Sequence, residues 1–369
     1  MKSPFAQKAT DAADDDVRLN SEARWRQRRP AAARTRESGV ALLVVLLTIA
    51  LLTIVVVEFT YSSQVETHLA FGSRNALQAL YLARSGVNIA EAILVRDAQT
   101  GRDVDGELDL WAQPLPPLPL GDGSLALRVR DEARALNLNE LASGVWEERM
   151  RKQAIAERLF DLLGIDRQVL AAIVDWIDSD QEPWTSPLGA EQPYYLSLTP
   201  PLQVRNAPLL TFRELLLVRG VTPSVLARLD GFVTVLPREN RLKININTAP
   251  PEVLYALSEG MTSDPGIVDR LIAVRREQPL DGLGALRNIP GLHEALGDNY
   301  DFVGYKSTHF RIEAVGTVND VTRGLVTVVE RKSGWQITRT TWLPSTATAS
   351  LTSQPPSDFL EALPPLGGS

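Results

Sequence analysis

The longest apolar stretch of the chain lies between residues 40 and 57. It reads VALLVVLLTIALLTIVVV, 18 residues without a charge or a proline. A helix of about 20 apolar residues spans the hydrocarbon core of a bilayer, and about 17 is the lower limit. Val40–Val57 is therefore predicted to cross a membrane.

The helical pattern continues beyond the membrane segment, over residues 64–97. There the apolar side chains recur every three or four positions and mark one helix face. They are Leu77, Leu80, Tyr81, Val87, Ala90 and Ile93. We therefore predict one long membrane and stem helix over residues 40–99, with Gly72 and Gly86 as candidate positions for a bend.

Apolar and polar residues alternate in segments that lie far apart in the chain, which is the pattern of half-buried strands. The predicted strands are 124–130, 309–318, 323–331 and 335–342. We expect them to form one antiparallel sheet packed on the stem helix. Between residues 145 and 299 the pattern is mainly helical, and the candidate helices are Arg149–Leu163, Arg167–Ile177, Thr211–Leu217, Pro223–Phe232, Pro251–Leu257 and Gly266–Arg276.

These patterns predict an α+β fold in which a large all-α domain is inserted into a small body of one helix and one sheet. The predicted parts are a leader (1–39), a transmembrane and stem helix (40–99), the first part of the body (100–144), the inserted α-domain (145–300), the final strands (301–343) and a tail (344–369). The tail is rich in Ser, Thr, Pro and Ala and is predicted to be disordered. Thr248 is the candidate N-cap of the helix that begins at Pro251.

Charge is distributed unevenly between the leader and the rest of the chain. Residues 1–39 hold nine Lys/Arg and six Asp/Glu, whereas the remaining 330 residues hold 29 and 39. The arginines between residues 24 and 36 keep the leader in the cytoplasm, so the chain after Val57 is predicted to lie on the outer side. The acidic excess argues against nucleic-acid binding, which depends on Lys and Arg replacing counterions. It equally fits simple solubility.

Three interpretations of the N-terminal helix differ in how it is processed. A cleaved secretory signal has a shorter apolar run followed by small residues, whereas this run ends in EFTY at residues 58–61. An uncleaved signal anchor fits the hydropathy equally well. Cleavage between Gly39 and Val40 leaves the apolar helix on the mature chain. The small Gly39 at that junction and the helical stem beyond the membrane favour this third interpretation.

Carboxylates that could bind a cation are concentrated in one segment: Asp175, Asp178, Asp180, Glu182 and Glu191. Calcium takes six to eight oxygen ligands, and carboxylates closely spaced on a loop supply several of them. The spacing does not match an EF-hand, and a solvated acidic surface is the other interpretation. A paired-carboxylate hydrolase has no companion motif here, so no enzyme is predicted. The chain has no cysteine, which excludes disulfides, thiolate zinc sites and cysteine nucleophiles. It has three histidines, which are widely spaced along the chain.

Residues 243–292 resemble a helix-hairpin-helix module of the kind found in DNA-uptake proteins. In such modules, backbone N–H groups at helix N-termini contact phosphates. Here Glu259 and Asp264 lie at the first such position, and residues 245–296 hold four Lys/Arg against seven Asp/Glu. We interpret the module as a protein-interaction fold. A membrane-anchored nucleic-acid-binding protein is the alternative.

Several segments, in order, carry a family resemblance over roughly Arg36 to Trp342. They are the basic leader with Gly39 and the apolar helix, then YLARSGVNIAEAIL, DEARALNLNEL, VDWIDSDQEP, GAEQPYY, FRELLLVRGVT, INTAPPEVLYAL, and finally FRIEAVGTV with VVERK. The first of these resembles a type IV prepilin signal. The others resemble the minor pseudopilin K family of type II secretion systems (general secretion pathway protein K).

The resemblance implies a pilin-like fold with helix-hairpin-helix or SAM-like helices in the inserted domain. It implies cleavage by the prepilin peptidase at Gly39/Val40, N-terminal methylation, and a single pass through the bacterial inner membrane with the body in the periplasm. The implied role is to initiate assembly at the pseudopilus tip and to support protein export. The expected partners are other minor pseudopilins, the major pseudopilin, and secreted cargo or the outer-membrane secretin. Calcium is the expected cofactor, and nucleic acid is not an expected partner.

The fifth residue after the predicted cleavage site is Val44. Most pilins carry a glutamate there, which pairs with the N-terminal amine of a neighbouring subunit, because a lone carboxylate in a membrane is costly. The resembled family similarly lacks this glutamate, which suits the first subunit of a filament. Residues 1–39 make a longer leader than is usual in that family, and an over-extended start codon is one explanation.

Overall fold

The computed structural model describes residues 37–100, 103–184, 188–238, 242–332 and 336–345. The predictions of a removed leader and a disordered tail fall mostly on residues 1–36 and 346–369, which lie outside this described part. The chain divides into two compact units, one ending at Thr67 and the other beginning at His68.

The first helix, α1 (Glu37–Gln99), contributes residues to both units. In the part of the chain that the structure describes, it is the one helix long and apolar enough to cross a membrane. Its apolar side chains in the first unit are exposed, for example Leu47 at 69% and Val57 at 61%. A helix with this composition and no protein around it is suited to a lipid environment.

The second unit combines one antiparallel sheet with many short helices, so the fold is α+β. In chain order its elements after α1 are β1 (Leu118–Leu120), β2 (Gly123–Asp131), β3 (Leu136–Asn137), α2 (Trp146–Leu162), α3 (Arg167–Ile177), α4 (Gln192–Leu196), α5 (Pro223–Leu229), β4 (Val233–Thr234), β5 (Ile244–Asn245), α6 (Pro251–Ala256), α7 (Glu259–Ser263), α8 (Pro265–Glu277), α9 (Leu283–Arg287), α10 (Leu292–Leu296), β6 (Val303–Gly304), β7 (His309–Val318), β8 (Val321–Arg331) and β9 (Ile337–Ser345), with 3-10 helices at Leu138–Ala142, Phe212–Leu217 and Gly297–Phe302.

The main sheet has the strand order β1-β2-β7-β8-β9, and each neighbouring pair is antiparallel. Strands β2 and β7 pair over their full lengths, from Gly123 opposite Val318 to Asp131 opposite Phe310. The sheet therefore joins two parts of the chain that residues 132–308 separate. Two short parallel ladders, β3 with β4 and β5 with β6, link segments of the intervening region.

The C-terminal part of α1 packs on the sheet through a stripe of buried apolar residues. Ala83, Val87 and Leu94 belong to one core with Leu125 of β2 and Phe310 of β7. Burying such side chains stabilises the fold by roughly 25 cal/mol for each Å² of apolar surface removed from water. The stripe predicted from the sequence is confirmed in part: Val87 and Ala90 are buried in this core and Leu80 and Ile93 pack against it, whereas Leu77 and Tyr81 are exposed.

Glycines allow α1 and the sheet to approach each other closely. A Cβ atom at Gly316 of β7 would lie 2.1 Å from the carbonyl oxygen of Ala79, and one at Gly86 would lie 2.6 Å from Cδ1 of Leu125. Helix α1 continues through Gly86. Its lack of a side chain therefore serves helix–sheet packing, a role that we did not predict when we considered it as a bend.

The intervening helices form a second core of their own, which includes Leu159, Leu170, Ile173 and Leu254. A fully buried Lys152 of α2 pairs there with Glu140 at 3.4 Å and also with Glu148 at 2.9 Å. Because an unpaired buried charge is costly, these contacts fix α2 against the 3-10 helix that precedes it.

A buried polar network joins the second core to the sheet. The amide nitrogen of Asn245 lies 2.9 Å from the Asp131 carboxylate, 3.0 Å from Ser307 Oγ and 3.0 Å from the carbonyl oxygen of Asp105. Thr248 donates a 2.6 Å hydrogen bond to the same Asp131 oxygen. The prediction that Thr248 caps the next helix is wrong: the N-cap of α6 is Pro250, and the Thr248 hydroxyl is used for this long-range contact.

The strand predictions are confirmed as β2, β7, β8 and β9, and the first three differ from the predicted bounds by two residues at most. The six predicted helices are present, although Phe212–Leu217 is a 3-10 helix. The sequence pattern does not predict β1, which lies within the proline-rich residues 114–120, or the short helices α4, α7, α9 and α10. These elements have too few residues to show a period.

The close contact at Gly316 predicts an unequal response to two glycine-to-alanine changes. We expect Gly316→Ala to lower the free energy of unfolding by about 3 kcal/mol, because the new methyl group would overlap the α1 backbone. Gly284→Ala is the control, since Gly284 lies in α9 with open space around it and alanine favours a helix. Denaturant unfolding of the full chain in detergent measures both, and equal stability of the two variants would contradict the packing described here.

Candidate metal centre in the helical region

Three carboxylates meet where α3 ends and α4 begins. Asp175 lies in the last turn of α3, Asp178 is its C-cap residue, and Glu191 is the N-cap residue of α4. Each offers an oxygen atom, and these atoms all lie within 4.8 Å of one another. The loop that connects α3 to α4 therefore folds back on itself and brings together acids separated by up to 16 positions.

Asp175 holds this loop through hydrogen bonds to its backbone. Its side chain is fully buried, with one oxygen accepting from the N–H of Trp184 at 2.7 Å and the other from the N–H of Ala190 at 2.5 Å. Backbone donors of this kind stabilise a carboxylate in its charged form. Asp175 thereby fixes the part of the loop that carries Glu191.

Glu191 and Asp178 have buried oxygen atoms without partners. Glu191 is 5% exposed, and among the described residues neither of its carboxylate oxygens has a hydrogen-bond partner. Oδ1 of Asp178 is in the same situation within that part of the chain. Buried polar atoms in proteins are normally hydrogen-bonded, so these oxygens are available to a positive ligand.

Gly189 provides the space in which the carboxylates meet. A Cβ atom at this position would lie 2.1 Å from Oδ2 of Asp175 and 3.0 Å from the carbonyl oxygen of Trp184. Any other residue would therefore push the loop away from Asp175.

The charges in this centre oppose one another. Burial raises the pKa of Asp175 to about 6 and that of Asp178 to about 7, and the nearby Asp180 carboxylate adds to both effects. Burial, together with Asp175 and Asp180, raises the pKa of Glu191 to about 7. Since one pKa unit corresponds to about 1.4 kcal/mol, keeping all these groups ionised is unfavourable without a cation.

The five acids proposed from the sequence separate into two sets. Asp175, Asp178 and Glu191 form the centre, whereas Asp180 and Glu182 are exposed and lie outside this group of three. Asp180 instead accepts a 3.0 Å hydrogen bond from the N–H of Glu182 within the loop. Asp180 contributes charge to the centre without joining it.

A second group of acids lies at the end of α1 and is already neutralised in part. Asp97, Asp105 and Asp109 can also bring oxygens within 4.8 Å of one another. Arg331 pairs with Asp105 at 2.5 Å and with Asp97 at 3.1 Å. The Arg331 guanidinium therefore pairs with two of the three carboxylates, and Asp109 accepts a hydrogen bond from the Gly106 N–H.

The residues of the predicted cleavage site lie in the first turns of α1. Gly39, Val40 and Val44 are all exposed, and Val44 is 57% exposed. An exposed junction is compatible with access by a peptidase, and it leaves the processing prediction untested.

The hairpin region uses its glycine for packing. A Cβ atom at Gly260 would lie 2.7 Å from the carbonyl oxygen of Ala295, so α7 and α10 are in close contact. The Ser258 hydroxyl donates to the same carbonyl at 2.5 Å and accepts from the N–H of Met261 at 3.1 Å. The segment that we considered an interrupted phosphate-binding hairpin is thus an ordered helix with its first turn capped by Ser258.

Comparisons with known proteins give one consistent result. Two family models, both described as "Type II secretion system (T2SS), protein K", match residues 134–238 and 244–300. The type II secretion system protein K of Aeromonas hydrophila is 31% identical over 318 residues, which cover 80% of this chain and 93% of that protein. The protein of the same name from Pseudomonas aeruginosa is 32% identical over 254 residues, which cover 66% of this chain and 73% of that protein.

A solved structure has the same fold. It is a chain from the crystal structure of the GspK-GspI-GspJ complex of the enterotoxigenic Escherichia coli type 2 secretion system. The match has a TM-score of 0.63 and 21% sequence identity, and it covers 75% of this chain and 99% of that chain. The likeness includes the α+β architecture described above.

The raised pKa values predict how stability depends on pH without a divalent cation. The folded pKa values of the three acids lie above the unfolded values of about 4, so the native state binds more protons between about pH 4 and 7. The metal-free protein should therefore lose stability as the pH rises through this window.

Glu191→Gln removes one of these charges and isolates its effect. With a chelator present at pH 7.5, we expect the variant to melt about 2–4 °C above the unsubstituted chain. For a domain of this size, that difference corresponds to about 1 kcal/mol in the free energy of unfolding. The difference should shrink as the pH falls toward 4, because Glu191 is then protonated in the folded state and increasingly protonated in the unfolded state. Glu182→Gln is the matched control, since Glu182 is exposed. A melting difference independent of pH would contradict the assignment.

Proposed function

The chain belongs to the type II secretion system protein K family, and from this premise we propose that it is the minor pseudopilin at the tip of the pseudopilus. In this role it initiates assembly with other minor pseudopilins and supports protein export across the outer membrane. The family assignment makes it a minor pseudopilin. The position at the tip, the order of assembly and the partners are our proposal.

The exposed apolar face of α1 is the observation that carries the proposal. One face of its C-terminal part is buried in the core with the sheet, while Leu69, Leu77 and Tyr81 are 65%, 58% and 61% exposed. Several large apolar side chains exposed along one helix are typical of a protein-interaction surface. These side chains lie on α1 itself, after the part of the helix that is suited to lipid. Stem helices of other pseudopilins would cover them.

Two further features support a position at the tip. Residues 132–308 interrupt the sheet with a helical domain, in a pilin-like body whose regular stacking such an insertion would obstruct. Val44 stands where a pilin glutamate would pair with the subunit assembled before it. A subunit with no predecessor has no need of that glutamate.

The N-terminal helix supports a specific maturation route. We propose that the prepilin peptidase cleaves between Gly39 and Val40, and that the new N-terminus is methylated. The mature chain would then span the inner membrane once, with its body in the periplasm. The major pseudopilin, cargo proteins and the outer-membrane secretin are proposed as later contacts of the assembled tip.

Two alternatives receive less support. Nucleic-acid binding by the hairpin region is opposed by its excess of three acidic residues and by the packing of Gly260 against Ala295. Catalysis has no support from the relatives, which are structural components of secretion systems. We therefore propose an assembly function without an enzymatic step.

Co-expression with the prepilin peptidase and two other minor pseudopilins tests the proposal. We expect the tagged full chain to be recovered from membranes with both partners, and its mass to correspond to a start at Val40. Leu77→Arg should reduce partner recovery at least tenfold, because a charge would enter the stem interface. Leu162→Arg is the control, since Leu162 is similarly exposed, at 44%, but lies at the end of α2.

The experiment has two outcomes that would contradict the proposal. One is a chain that retains residues 1–39 and is recovered alone. The other is an equal loss of partners in Leu77→Arg and Leu162→Arg while both variants remain folded, which would place the interface elsewhere.

We also propose that Asp175, Asp178 and Glu191 bind a calcium ion. The fit rests on the buried oxygens of Glu191 and Asp178, which have no partner among the described residues, and on the excess of negative charge around them. Hard carboxylate oxygens on a loop are the ligands that calcium prefers. The ion would neutralise this charge and tie the end of α3 to the start of α4.

Calorimetric titration of the metal-free full chain with calcium chloride tests this site. We expect heat from binding. We also expect a higher melting temperature, because calcium at a hundredfold excess over Kd stabilises the folded state by about 2.7 kcal/mol. Asp178→Asn should weaken binding at least tenfold, whereas Glu182→Gln should not, since Glu182 is exposed and outside the centre. The absence of both heat and thermal shift in the unsubstituted chain would refute the calcium proposal.

A further inference from the structure

Arg219 lies beside the metal centre and contacts the loop that carries it. Its Nη1 atom donates to the carbonyl oxygen of Gly189 at 3.3 Å, and its guanidinium carbon lies 4.7 Å from the centre of the Tyr194 ring. Its backbone N–H also donates to the Tyr195 hydroxyl at 3.1 Å. One residue therefore holds the loop on both sides of Glu191.

These contacts continue directly to the carboxylates. Gly189 is the residue whose missing side chain leaves room for Asp175, and the next residue, Ala190, donates its N–H to Asp175. Glu191 follows and begins α4. A shift of the Gly189 carbonyl would thus move both the donor to Asp175 and the backbone of Glu191.

The aromatic residues of α4 make the support rigid. Tyr195 is fully buried, and its ring packs edge-on against Trp176 of α3 at 5.2 Å and against Tyr194 at 5.1 Å. Through Tyr194 and Tyr195, Arg219 is connected to the same two helices that supply the three acids. Such edge-to-face pairs contribute beyond the area that they bury.

The charge and the contacts of Arg219 have opposite effects on a bound cation. As a positive group near the centre, it repels a cation and by itself weakens binding. As a planar group that stacks on a ring and donates to a carbonyl, it holds the loop in the geometry that binding needs. The two effects can be separated by substitution.

We propose that Arg219 is a positioning residue for the calcium site: its contacts with Gly189 and Tyr194 hold Glu191 and Asp175 in the arrangement that binds the ion. The inference rests on the calcium proposal made above. It adds a residue from the loop before α5 to a site whose acids come from α3 and α4.

Calorimetric titration of the full chain with calcium chloride compares the unsubstituted protein with Arg219→Lys and Arg219→Gln. We expect both variants to bind calcium about tenfold more weakly, the loss typical of groups that orient metal ligands. Arg219→Lys keeps the charge but not the planar stacking, so its loss cannot come from charge. Arg213→Gln is the control, since Arg213 is exposed on the same segment.

A purely electrostatic role would give unchanged binding in Arg219→Lys and tighter binding in Arg219→Gln, and either result would overturn the inference. A purely structural role would lower the melting temperature of the metal-free variants and leave the Kd for calcium unchanged. That result would also overturn the inference. Calcium binding by the unsubstituted chain with equal affinity in both Arg219 variants refutes the role of Arg219 alone. No binding by the unsubstituted chain refutes the calcium site and the inference together.

Discussion

The buried polar network at the edge of the sheet is the constraint on which the second unit depends. The chain leaves the sheet at Asp131 and returns at His309, so both ends of a long insertion must be held together. Asn245 does this by contacting Asp131, Ser307 and the backbone of Asp105 at once. Arg331 then pairs with Asp105, which brings in the end of β8.

Such a network is favourable only when its members have partners. Burial raises the pKa of Asp131 to about 6, although hydrogen bonds from Ser307, Thr248, the Ala133 backbone and Asn245 act in the opposite direction. Asp131 is also the last paired residue of β2, so the network lies where the chain leaves the sheet. The helical domain and the sheet are thus coupled through hydrogen bonds, while each keeps its own apolar core.

The candidate metal centre contrasts with this network, because backbone N–H groups of the described residues reach Asp175 but not the carboxylate oxygens of Glu191. Around Asp131 and Asp105, amide, hydroxyl and guanidinium groups face the carboxylates. Around Glu191, other carboxylates do, and burial raises its pKa to about 7. The same physical rule, that buried charge needs a partner, explains the fully paired junction and the candidate ligand site alike.

The sequence alone determined the features that depend on neighbouring residues. Val40–Val57 is long and apolar enough to cross a membrane. Strand β7 and helix α3 have the predicted bounds because their apolar pattern extends over enough residues to detect. The family resemblance, confirmed by the comparisons, rests on such local segments in order.

Tertiary structure decided what depends on residues distant in the chain. It joined Glu191 to Asp178 and left Asp180 and Glu182 aside, because the loop geometry follows from hydrogen bonds to Asp175. Thr248 is bonded to Asp131 rather than to its own helix for the same reason. A residue's period along the chain records which face it occupies, but not which distant group it will meet there.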